Sequence, residues 1–136
     1  MTLFLNDLIN ECVAQGFFGF ESYGDQLVTL TVPNKEHPDQ ILPVMVEFQD
    51  ETCSASAVVV EIPEEGYLPA VRLCNQMNAG TRWYKHFLQE TPDGTFQVCV
   101  VADWVARELS AAKAFEVLMA FCQHVYQVEH TLMQEE

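Results

Sequence analysis

The stretch that decides the fold runs from Leu68 to Met133. It contains Leu73-Cys74-Asn75-Gln76-Met77-Asn78, Trp83-Tyr84-Lys85-His86-Phe87-Leu88, Pro92-Asp93-Gly94 and Val98-Cys99-Val100-Val101, and ends in the apolar run that starts at Ser110. Leu68, Val71, Leu73, Cys74 and Met77 suit a short helix that Asn78-Ala79-Gly80 can stop, with Pro69 tolerated in its first turn. Trp83 to Gln89 and Phe96 to Val101 are rich in strand formers. Between them Pro92 fixes φ and Gly94 permits a positive φ, which is the chemistry of a tight turn around Asp93. Ser110 can cap a closing helix in which Ala114, Leu118, Phe121, Val125, Val128 and Leu132 step by four and three. Phe115, Met119, Cys122 and Tyr126 form a second row beside them. A helix, a hairpin and a closing helix make a packing unit with no catalytic motif in it.

Upstream, Leu5, Leu8, Ile9, Cys12 and Val13 recur at helical spacing, with Thr2 or Asn6 as N-cap and Gly16 as terminator. Phe17 to Glu21 and Leu27 to Val32 read as paired strands turning at Tyr23-Gly24-Asp25. Pro33 to Pro43 holds three prolines and reads as a loop. Val44 to Phe48 is a further strand, and Ala55 to Ile62 a β-rich run. The order is α-β-β-β-(β)-α-β-β-α. Strands joined by short turns pair antiparallel, so the chain is expected to be one α+β domain over 1–136, with an antiparallel sheet of about five to six strands under helices.

Six Lys plus Arg stand against twenty Asp plus Glu, a net charge of −14. Phosphate backbones and anionic membrane surfaces both need cationic partners, so neither nucleic acid nor a membrane is an expected partner. No apolar stretch approaches the ~20 residues of a membrane span. The five cysteines share no C-x-x-C spacing, and four sit in apolar runs where a thiol behaves as a small hydrophobe. With no secretory segment at the N-terminus, a reduced, cytoplasmic protein is expected.

The search for chemistry returns little. His37, His86, His124 and His130 are dispersed and each reads as a surface residue, so no metal is expected. There is no nucleophile elbow, no glycine-rich phosphate loop and no calcium loop, and Cys99 lies in an apolar strand without a neighbouring cation. No cofactor and no enzymatic activity are expected. Two features stand out. Arg82-Trp83-Tyr84-Lys85-His86-Phe87 combines cations with aromatics, the residue types of interface hot spots. The closing helix carries an apolar arc wider than a single seam, suited to deep packing on the sheet or to a second subunit.

The second-half pattern resembles the YbjN-like family of proposed bacterial sensory transduction regulators. In that family a helix ending in an N-x-x-N-like pattern precedes an aromatic strand, an acidic hairpin turn, an apolar strand and a long terminal helix. Asn75 and Asn78 match the two asparagines, and Pro92, Asp93 and Gly94 the turn; all five read as architecture, the asparagines closing the helix end. The first half agrees in element order. The family is similar in fold to the type III secretion chaperones, small acidic proteins that are typically dimers and hold an extended client segment. The resemblance implies a non-enzymatic, chaperone-like or regulatory protein-binding module, homodimeric, with another protein or a peptide segment as partner. Arg82, Trp83, Tyr84 and Phe87 on the strand, and Phe115, Met119 and Tyr126 on the helix flank, are the expected partner-binding residues. The alternative is a sensory regulator with a small-ligand pocket under the closing helix, near Trp83 or Trp104.

Overall fold

The computed structural model describes residues 2–16, 20–23, 27–33, 41–49, 52–81, 83–105 and 110–134. In chain order they form α1 (Thr2–Ala14), β1 (Phe20–Tyr23), β2 (Leu27–Pro33), β3 (Ile41–Gln49), β4 (Thr52–Ile62) and a 3-10 turn (Glu64–Gly66). Then follow α2 (Tyr67–Gly80), β5 (Lys85–Glu90), β6 (Phe96–Val105) and α3 (Ala111–Gln134). The six strands make one antiparallel sheet in the order β1-β2-β3-β4-β6-β5. The α+β class holds, at the upper end of the expected strand number, because the β-rich run is a full strand in the sheet interior. Hairpin neighbours pair along the chain until α2 intervenes, and β6 then returns beside β4 with β5 on the outside.

Alternation decides which face is covered. Val44, Val46 and Phe48 of β3, Cys53, Ala55 and Ala57 of β4, and Val98, Val100 and Ala102 of β6 are buried under the helices. α3 lies over β4, where the small side chains of Ala55 and Ala57 let a helix carrying Leu118 and Phe121 approach. α1 packs on α3, and α2 runs along β5. The wide arc of α3 is thus met within the chain: Ala114, Leu118, Phe121, Cys122, Val125 and Val128 are buried, and Phe115, Met119 and Tyr126 pack at the margin of the core.

Local signals place most ends. Ser110 Oγ accepts the Lys113 backbone N–H at 3.1 Å, the expected N-cap of α3. Gly94 (φ +82°) closes the β5–β6 turn, with its N–H donating to Thr91 O at 3.1 Å. Gly16 (φ +92°) ends α1. Four expectations are corrected. Asn6 lies inside α1, not at its cap. Pro43 lies in β3, where its missing N–H is tolerated because pairing to β4 begins only at Met45. α2 runs on through Asn78 to Gly80. β5 begins at Lys85, since Thr81 Oγ1 accepts the Trp83 N–H at 3.2 Å and holds Trp83 in a bend ahead of the ladder.

Candidate functional site: an open sheet face beside a buried histidine pair

The face away from the helices is assembled by register. One row runs Thr29, Met45, Ser56, Val101, Lys85 across β2, β3, β4, β6 and β5. The next runs Val58, Cys99, Phe87 across β4, β6 and β5. Met45 (46%), Val58 (45%) and Phe87 (41%) are exposed there, and Trp83 beside them is 74% exposed. From β2 to β5 these two rows contain no carboxylate, in a chain with twenty; Glu21 follows Thr29 on β1 at one end of the first row, and the cation Lys85 stands at the other. Carboxylates stand on either side: Glu47 and Asp103 in the row beyond Met45, and Glu61 in the row beyond Val58. Asp103 accepts the Ser54 hydroxyl at 2.5 Å and Glu61 the Thr95 hydroxyl, so both are anchored to the sheet. Gln97, level with Glu61, and Asp103 are six residues apart on β6, which sets the two acidic borders about 20 Å apart. Lys85 and Asp103 share a notch of about 220 Å³ with Trp83, Val101 and Ala102.

The structure divides the aromatic cluster between two faces. Trp83 and Phe87 turn to the open face, whereas Tyr84 stacks on His124 of α3 (ring centroids 4.3 Å apart) and lies near Phe121. Arg82 lies outside the described residues. The helix-flank residues Phe115, Met119 and Tyr126 are not brought together with the open face. Trp104 meets Phe121 edge-on within the core, on the opposite side of the sheet from the notch.

The reading of every histidine as a surface residue is corrected. His130 is exposed and His37 lies outside the described residues, but His86 is 3% exposed, the buried polar side chain among the described residues. Its Nε2 is 2.7 Å from His124 Nε2, and its Nδ1 is 2.8 Å from Asn78 Oδ1. Asn78 also accepts the His86 backbone N–H (2.7 Å) and donates Nδ2–H to His86 O (2.9 Å). This replaces the helix-closing role expected of Asn78: its amide pairs with the outer edge of β5 as a neighbouring strand would. Asn75, its companion in the pattern, is exposed. Burial, and then the neighbouring His124, hold the His86 pKa down to about 4, and burial lowers that of His124. No sequence spacing signals this pair, since its members are 38 residues apart.

All five cysteines are buried and free. Burial pushes Cys53 and Cys122 up to about 12, Cys12 to about 11, and raises Cys74 and Cys99. Cys99 belongs to the open-face register yet is 5% exposed, a protonated thiol sealed among its neighbours and no nucleophile. Among the described residues no three His, Cys, Asp or Glu side chains form a metal-holding group. Nor is any helix among them long and apolar enough to cross a membrane.

No family model matches the sequence. No curated protein matches it either. Among solved structures, the crystal structure of YbjN, a proposed transcription regulator from E. coli, superposes with a TM-score of 0.71 at 20% identity. The match covers 96% of this chain and 93% of that one, so the likeness read from the second half extends over both halves. The chain has the fold of YbjN.

Proposed function

We propose that this chain is a non-enzymatic binding module, regulatory or chaperone-like, which holds an extended partner segment across the open face of its sheet. The carrying observation is the partly apolar band of Met45, Val58, Val101, Phe87 and Trp83, with Lys85 at its β5 end, set between Asp103 and Glu47 on one side and Glu61 on the other. Charge complementarity then defines the occupant: a polypeptide with apolar side chains at its centre and Lys or Arg toward both ends. About six extended residues span the ~20 Å between the borders. A YbjN-like regulator fold is consistent with such a role. Capture through side chains is favoured over strand addition at β5, because Asn78 already occupies the His86 backbone groups on that edge.

The test uses fluorescence anisotropy with a labelled peptide of about ten residues, Val and Phe at its centre and two lysines at each end. The expected result is binding that weakens with salt, is absent for the same peptide ended in glutamates, and falls at least about fivefold in Trp83→Ala and in Phe87→Thr. Equal binding of both peptides, binding indifferent to these substitutions, or self-association that buries the face and excludes the peptide would overturn the reading.

A further inference from the structure

We propose that His86 and His124 form an acid-operated latch between β5 and α3, which carries one extra proton and is broken by a second. The proton positions follow from Asn78. Its Nδ2 donates to His86 O, so its Oδ1 is the acceptor for both the His86 backbone N–H and Nδ1. His86 Nδ1 therefore bears a hydrogen, and its neutral Nε2 accepts from His124 Nε2–H across 2.7 Å. A first added proton goes to His124 Nδ1, leaves that hydrogen bond intact, and places the cation against the stacked Tyr84 ring. A second proton has only His86 Nε2 to occupy. Two N–H groups on two cations then point at one another across a part-buried contact whose His86 side is sealed from water, and the contact cannot survive.

The groups around the pair do not offset this charge. Asn78 faces it from α2, Tyr84 from the segment before β5, Val100 from the paired position on β6, and Phe121 and Cys122 from α3 through the Tyr84 ring. None is a carboxylate. The sign is that of a base depressed by folding: the latch is fully closed above the ordinary histidine value of about 6.5, weakens as pH falls below it, and is lost through about 4. Acid thus loosens the strand that positions Trp83 and Phe87. Release of a bound segment is the consequence, and that last step rests on the binding reading above.

The test compares the wild type with His124→Gln, whose side-chain amide can donate to neutral His86 and, after a flip, accept from charged His86. Both proteins share every carboxylate and every other histidine, so their difference isolates the pair. Ring ¹⁵N shifts at neutral pH are expected to show Nδ1–H at His86 and Nε2–H at His124. Between pH 6.5 and 4, rate-corrected amide protection over Lys85–Glu90 should fall by about tenfold or more in the wild type, since one linked proton shifts an opening equilibrium up to tenfold per pH unit. In His124→Gln burial still depresses His86 but the second cation is gone, so the fall should be smaller than in the wild type by at least about threefold. The inverse tautomers, or equal opening in both proteins, would overturn the latch. If the latch opens as expected while the lysine-ended peptide binds neither protein at pH 7, the latch stands and the binding reading fails.

Discussion

On β3 and β4 the covered face carries Val44, Val46, Phe48, Cys53, Ala55 and Ala57, all buried, while one residue along the same strands the open face carries Met45, Glu47, Ser54, Ser56 and Val58. Among the described residues the polar side chain buried on the covered face is His86, which with His124 and Asn78 joins β5, α3 and α2. The open face is polar except at one band, where Met45, Val58, Val101 and Phe87 come together. The two departures are opposite in sense. A polar side chain as buried as His86 is retained where its donors and acceptors are matched, and here both ring nitrogens and both backbone groups have partners. An exposed apolar band without carboxylates, on a chain of net charge −14, gives the other region a place to meet a partner. β5 belongs to both, because its alternate residues enter the junction and the band.

Substitutions can break that contrast, beginning with the most damaging. Phe121 is fully buried between Tyr84 and Trp104, so Phe121→Ala should cost about 3–5 kcal/mol in chemical unfolding. A loss below ~1 kcal/mol would mean the covered face is not the main core. Asn78→Ala removes partners from the His86 backbone and ring together, and should cost about 2–3 kcal/mol with faster amide exchange confined to β5 and α2. A pure helix-end role predicts less than that, with fraying of α2 alone. The same chemical change on the two faces gives the smallest and sharpest contrast. Val46→Thr buries a hydroxyl among Val28 and Ala55 and should cost about 1–3 kcal/mol, while Val58→Thr sets it in water and should stay within about 0.5 kcal/mol. Equal costs would show that something covers both faces.

Much of the fold was legible in the residues. Gly94 and Pro92 announced the hairpin turn, Ser110 the start of α3, and the 3.6-residue period its buried side, because these are local preferences that tertiary contacts did not oppose. Element ends were less so. Asn78 looked like a stop signal since asparagine often ends helices, but α2 runs on and its amide is spent on β5. The band was half legible. Trp83 and Phe87 stood out by type, whereas Met45 and Val58 joined them only through cross-strand register.

The sequence by itself determined the alternation of the strands, the helical stripes, the turn chemistry and the acid excess, since each depends on neighbours within a few positions. Which side of the sheet the helices cover, that the wide arc of α3 is met by the sheet and α1, and that His86 lies against His124 were decided only by the tertiary structure. The physical reason is that burial and hydrogen-bond pairing depend on residues distant in the chain. A histidine reads as a surface residue until a partner 38 positions away allows it to be buried.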